Sequence, residues 1–186
     1  MIPSINPRPK YIAFLRAINV GGHTVKMDFL RRLFEAMGFS NVETFIASGN
    51  VIFDSTRQST QALESQIEAT LQEALGYEVT TFIRTTSELM DIARYKPFKD
   101  ADLDAEGNAV YIAFVGEIPS DESQQKLLSF TSAVDEFHVD GRQVYWLCRK
   151  KMSESEFSGA QLERTLGMQA TLRNSTTVKR IASKYS

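Results

Sequence analysis

Cysteine is nearly absent from this chain: Cys148 is the only one among 186 residues. A lone cysteine closes no internal disulfide, which agrees with a reducing compartment. Histidine is almost as scarce. His23 and His138, even with the one cysteine, do not supply the four ligands of a structural zinc site, so no metal is expected. No run reaches the roughly 18 uninterrupted apolar residues of a membrane span. The opening MIPSINPRPK has no apolar core, so a secretory signal is not expected and a cytoplasmic location is. Also missing are the GxSxG elbow, the P-loop, the HExxH pair and the Rossmann fingerprint. Glu136 and Asp140 are the nearest thing to an acid–base carboxylate pair, but both flank a turn with no partner implied. No cofactor is expected, and the reading leans away from an enzyme while leaving that open.

What is present describes an ordinary globular chain. It is 42% hydrophobic and 24% charged, and long enough to bury one sizeable core or two small ones. The net charge is only −2, but acids are absent from both ends. Residues 1–27 carry Arg8, Lys10, Arg16 and Lys26, and residues 164–186 carry Arg164, Arg173, Lys179, Arg180 and Lys184. The stretch between holds the compensating negative charge. Such asymmetry marks either an anion-binding face or solvated surface.

The hydrophobic pattern predicts the elements. YIAFL at 11–15 alternates as a strand with both faces covered. KMDFLRRLFEAMG places Met27, Leu30, Leu33, Phe34 and Met37 at helical spacing, with Gly38 as a stop. VETFIASGNVIFDS reads as two strands joined at Ser48-Gly49-Asn50. STQALESQIEATLQEALG is an amphipathic helix ending at Gly76, and EVTTFIRT a closing strand. The order β-α-β-β-α-β is the ferredoxin-like split unit.

The second half repeats this order. YIAFV at 111–115 echoes YIAFL, and EFHVDGRQVYWLC is a hairpin with Asp140-Gly141 as a type I′ turn pair. LGYEVTTFIRTTSELMDIA aligns with LGMQATLRNSTTVKRIA, pairing Leu75-Gly76 with Leu166-Gly167 and Arg84 with Arg173. The expectation is an α+β protein of two ferredoxin-like halves, 10–95 and 109–186, related by internal duplication. Between them, 96–108 reads as an exposed acidic linker. It is not a calcium loop, because Ala105 and Tyr111 stand where an EF-hand needs glycine and glutamate.

LRAINVGG (15–22), SGNVIF (48–53), KPF (96–98), LERTLG from Leu162 and ATLRNS (170–175) together resemble the bacterial domain-of-unknown-function 1697 family. The resemblance spans roughly residues 10–183 and implies a cytoplasmic α+β protein of two ferredoxin-like halves whose biochemical role is not established. This chain departs from the family pattern at three places. Ala17 replaces a glycine, a change expected to be neutral in a strand. Glu156 replaces the lysine after Ser155, which weakens a serine–lysine nucleophile pair. Ser175 replaces a tryptophan, removing a stacking platform.

The candidate ligand-binding set is Arg16, Asn19, Gly21, Gly22, Lys26, Ser48, Gly49, Asn50, Arg173 and Asn174. In the expected sheet the first and third strands are antiparallel neighbours, so the Gly21-Gly22 loop meets the Ser48–Asn50 turn. Loop N–H groups, a helix start and Lys26 favour an anion there. Turn-forming glycines account for the same letters without any ligand. Arg16 is read on the strand face of Ile12 and Phe14, and Arg84 and Arg173 as sharing one structural duty, such as an ion pair between the halves. The leading expectation is a binding or regulatory module for a small anionic ligand. The alternatives are a single-stranded RNA-binding protein and an enzyme with an unrecognised site. No membrane partner is expected.

Overall fold

The computed structural model describes residues 8–57 and 59–185. Most of the opening segment read above for a secretory signal therefore lies outside the described residues. The first half runs β1 (Lys10–Leu15), α1 (Met27–Ala36), β2 (Ser40–Thr44), β3 (Asn50–Asp54), α2 (Thr60–Leu75), β4 (Thr81–Thr85) and α3 (Thr86–Arg94). A short helix, α4 (Asp100–Asp104), follows. The second half runs β5 (Ala109–Val115), α5 (Asp121–Leu128), β6 (Asp135–Asp140), β7 (Gln143–Cys148), α6 (Gly159–Leu166), β8 (Ala170–Asn174) and α7 (Ser175–Tyr185). The chain divides into two compact units between Glu88 and Leu89.

Each half is β-α-β-β-α-β followed by a further helix, an α+β fold with two similar halves. The sheets are antiparallel and four-stranded, ordered β2-β3-β1-β4 and β6-β7-β5-β8. The repeat holds residue by residue. Ile12 pairs with Arg84 across β1 and β4, and Ile112 with Arg173 across β5 and β8. Gly76 and Gly167 close the matching helices in left-handed conformations, φ 80° and 69°. Only glycine adopts that geometry without a Cβ penalty, which is why the repeated Leu-Gly pairs end their helices there. Ser59 and Ser158 cap the starts of the same two helices, accepting from the N–H groups of Ala62 and Gln161.

In the first unit one sheet face, with Ala13, Leu15, Phe53 and Ile83, packs on Leu30 and Phe34 of α1 and on Leu63, Ile67 and Leu71 of α2. All of β1 beyond Lys10 is buried, as expected for a strand covered on both faces. In the second unit Trp146 lies in the equivalent core with Leu127, Phe157 and Leu162, while Tyr145, buried as well, points to the other face. A buried leucine or phenylalanine contributes about 1.5–3 kcal/mol, so these two faces supply much of the folding free energy.

Four sequence readings need correction. The 96–108 segment is not loop throughout, since α4 occupies part of it. The hairpin turn sits one residue later than expected: Asp140 still pairs with Gln143, leaving Gly141 and Arg142 as the connection. Gly141 has φ +56° and Arg142 is not in the positive region, so the glycine holds the first central position, as type II′ turns require. β1 ends at Leu15, so Arg16 belongs to a turn rather than to the strand face. Ala17 follows it there at φ +61°, where alanine is not a neutral replacement for glycine.

Candidate functional site

The geometry at the end of β1 follows from one pairing. Phe14 lies opposite Asn50, and the Leu15 N–H donates to the Gly49 carbonyl at 2.8 Å. The loop leaving β1 is thereby held against the connection entering β3. Asn19 staples the two: its Nδ2 donates to the Ala47 carbonyl at 3.0 Å, and its Oδ1 accepts from the Val25 N–H at 2.6 Å. A Cβ on Gly49 would lie 3.0 Å from Ile18 Cβ and 3.2 Å from Leu15 Cβ, so only glycine permits this approach. The start of RAINVGG, through Ile18 and Asn19, thus converges with the turn that carries SGN.

They converge under strain. Among the described residues four that are not glycine have positive φ, and three of them lie here: Ala17 at +61°, Asn19 at +56° and Ile46 at +51°. Asparagine tolerates this region, but alanine loses about 1–2 kcal/mol in it and a β-branched isoleucine is an outlier. Gly21 and Gly22 continue the left-handed path at +62° and +89°, exposed and with open space where a side chain would stand. Among the described residues no acceptor meets the N–H of either glycine. Lys26 is the N-cap of α1, exposed, and its side chain makes no capping bond. The first turn of α1 carries Asp28, a carboxylate that offsets part of the positive field. The His23 ring stacks on Tyr77 with centroids 3.9 Å apart.

The ten expected site residues are thus divided. Asn19, Gly21, Gly22, Lys26, Ser48 and Gly49 belong to the two joined loops. Arg16 is half-buried beside them and its N–H donates to the Thr80 carbonyl at 2.9 Å. Asn50 is fully buried, its Nδ2 donating to the Phe45 carbonyl and to Ser48 Oγ, both at 2.9 Å. Its amide N–H groups shape the turn from beneath. Arg173 and Asn174 lie in the second unit. There Arg173 is buried, and its Nη1 donates to the Leu172 carbonyl at 2.8 Å, as the Arg84 Nη1 does to the Ile83 carbonyl at 2.8 Å. Burial pushes the Arg173 guanidinium down to about 10. This back-bonding to the strand is common to the two arginines at matching places in the repeat. Asn174 Oδ1 accepts from the Thr176 N–H at 2.9 Å, beside the start of α7.

Sequence reasoning passed over Ile46 and Tyr77, because backbone strain and ring stacking have no one-letter signature. Ala17 did carry a signal, as the departure from a family glycine. Ser155, read beside its missing lysine, has a different partner. Its hydroxyl donates to Asp135 Oδ2 at 2.7 Å, while Trp146 Nε1 donates to Asp135 Oδ1 at 2.7 Å. That buried carboxylate holds the serine and the indole as a structural lock. Cys148, paired with Asp135 across β6 and β7, is buried, and desolvation pushes its thiol up, away from the reactive thiolate. His138 Nε2 meets the Tyr95 hydroxyl at 2.8 Å. Among the described residues no group of three His, Cys, Asp or Glu side chains is placed to hold a metal ion. Nor is any helix there long and apolar enough to cross a membrane.

The family model described as "Protein of unknown function (DUF1697)" matches residues 9–145. No curated protein sequence matches the chain. Among solved structures, the conserved bacterial protein SP0830 from Streptococcus pneumoniae is similar, at 21% identity and a TM-score of 0.71, over 95% of this chain and 98% of that one. At that identity the likeness speaks for the fold alone.

Proposed function

Since the chain belongs to the DUF1697 family, whose members are described as proteins of unknown function, we propose a role from the site itself: a binding module that holds a small anionic ligand at the Gly21-Gly22 loop. The observation that carries this reading is the concentration of left-handed backbone at one place. Strained residues persist only where the surroundings over-determine them, and they gather at ligand sites. Here the Asn19 staple and the Gly49 contact supply that constraint. What the strain supports is an exposed loop with two unspent N–H groups beside the uncapped start of α1 and the Lys26 ammonium. Preorganised donors of this kind favour a compact anion, since their conformational cost is met before binding.

Titration with inorganic phosphate, followed by amide shifts, tests the reading. Saturable movement of the Gly21–Lys26 amides is expected. Lys26→Ala should weaken binding by about 1–3 kcal/mol, the scale of one hydrogen bond to a charged group, with little change in stability. Gly22→Val should impair binding through backbone conformation. Asp28→Asn should strengthen it by removing a competing carboxylate. Absence of any saturable shift would reject the site. Retention on single-stranded RNA that falls steeply with salt, with the same amides moving, would transfer the reading to nucleic acid.

A further inference from the structure

The second unit contains a cavity of about 180 Å³ that the glycine-loop reading does not use. Its polar lining is contributed by two separate stretches. α4 and the residues after it bring Asp102 and Asn108, and the β8–α7 junction brings Asn174, Ser175, Thr176 and Lys179. Leu103 of α4, Ala109 and Val110 of β5 and Leu147 of β7 make the apolar part of the wall. A cavity of about 150 Å³ accommodates a benzene molecule. This one therefore suits a ligand of about six to eight non-hydrogen atoms.

The charges in the lining are of both signs and are not spent on each other. Arg149 Nη2 lies 3.2 Å from Asp102 Oδ1 and 2.7 Å from Glu136 Oε2. One guanidinium shared by two carboxylates leaves the trio negative, with Asp102 Oδ2 still able to accept. Asn108 Nδ2 donates to the Asp102 carbonyl at 2.8 Å, which leaves its Oδ1 as a second acceptor. Lys179 is exposed, and its ammonium makes no ion pair or hydrogen bond among the described residues. Asn174 Oδ1 is occupied by the Thr176 N–H, so its Nδ2 remains a donor. One part of the lining can thus receive a cation or donor, and another an anion. A smaller space of about 30 Å³ shares Leu103, Val110, Ser175 and Lys179 with this cavity and adds Ile92, Pro97 and Tyr145. Its volume is about that of one water in the liquid, room for a methyl group beyond the polar centre.

We propose that this cavity binds a small zwitterion with a short aliphatic side chain, of the size and chemistry of a free apolar α-amino acid. Its carboxylate is held by Lys179 and Asn174, and its ammonium by Asp102 and Asn108. The aliphatic group lies toward Val110 and Leu103. A zwitterion is preferred because each end meets a complementary charge. A molecule carrying only one charge leaves one of these groups solvated and gains correspondingly less.

The test is a titration of the full chain with L-valine, read by amide shifts, beside 3-methylbutanoate, which lacks the ammonium, and L-valinamide, which lacks the carboxylate. Saturable shifts are expected for residues 102–110 and 174–179 with L-valine, and none at Gly21–Lys26. Each single-charge analogue should bind about tenfold more weakly or worse, the loss of one charge-assisted hydrogen bond. Lys179→Met keeps the alkyl stem of an exposed side chain and should lower L-valine affinity by about tenfold, with unchanged thermal stability. Absence of saturable shifts would overturn the proposal. So would equal binding of 3-methylbutanoate, an unaltered affinity in Lys179→Met, or shifts confined to the glycine loop.

Discussion

Ala17 shows how one residue records the backbone it must serve. At φ +61° its Cβ crowds the following carbonyl, a cost that glycine does not bear. Ala17→Gly should therefore stabilise the fold by about 0.5–1 kcal/mol, the relief of strain less the greater freedom of glycine in the unfolded chain. Denaturant unfolding would measure it; a loss of stability would mean that the loop does not hold this conformation in solution. Tyr145 makes a second residue-scale case. Burial first, then the charges of Asp140 and Tyr95, push its phenol well above the ordinary value, and its hydroxyl donates to the Ile92 carbonyl at 3.1 Å. The folded chain keeps this proton at pH values where the unfolded chain loses it. The stabilisation is complete below about pH 10, the unfolded value, and is lost as pH rises above it. Tyr145→Phe should flatten that alkaline decline and cost about 1 kcal/mol at neutral pH through the lost hydrogen bond. An equally steep decline in the variant would assign the effect elsewhere.

Among elements, the outer edge of β4 has an unusual seal. Its outward N–H groups at Thr81, Ile83 and Thr85 donate to the carboxylates of Glu68, Glu64 and Glu88, at 2.8, 2.8 and 2.7 Å. In the second half the Ala170 N–H donates in the same way to Glu163 at 2.8 Å. An open strand edge is a template for pairing with another chain, and charged side chains laid along it remove that template. Replacing Glu64 and Glu68 together by alanine should lower stability by about 1–3 kcal/mol, because each variant position leaves a donor unsatisfied near the buried core. Amide exchange at Thr81 and Ile83 should accelerate selectively. Unchanged exchange would show that the carboxylates are incidental. The helix spacing in TQALESQIEATLQEAL announced the apolar stripe of Leu63, Ile67 and Leu71 and also placed Glu64 and Glu68 four residues apart. Which strand those glutamates would reach could not be read, because the contact joins residues 13 and 19 positions apart.

Across the whole molecule the repeated order decides what the ends of the chain contribute. The basic N-terminal stretch feeds the first glycine loop through Arg16 and Lys26, and the basic C-terminal stretch runs from the end of α6 through β8 and α7. Equal places in the two halves keep the strand and helix order but differ in loop residues and loop backbone. The turn after β1 is glycine-rich and strained, whereas β5 is followed by a single glycine, Gly116, with no positive φ. A repeated fold leaves one copy free to diverge, since only the core pattern and helix caps are needed for stability.

The β-α-β-β-α-β order of each half, the repeated Leu-Gly helix ends and the buried faces were determined by the sequence alone, because each depends on local periodicity, caps and turn residues that neighbouring positions encode. The approach of RAINVGG to SGN was legible too, since the strand order makes β1 and β3 neighbours. What only the tertiary structure decided was the state of each side chain at that meeting. Asn50 turned inward to the Phe45 carbonyl, Arg16 left the strand, and Ile46 was forced to positive φ. The α4–α7 cavity belongs with these, since its lining joins Asp102 to Lys179 across most of the second unit. Such outcomes rest on contacts between residues far apart in the chain, whose free energies depend on packing and burial that no local pattern specifies.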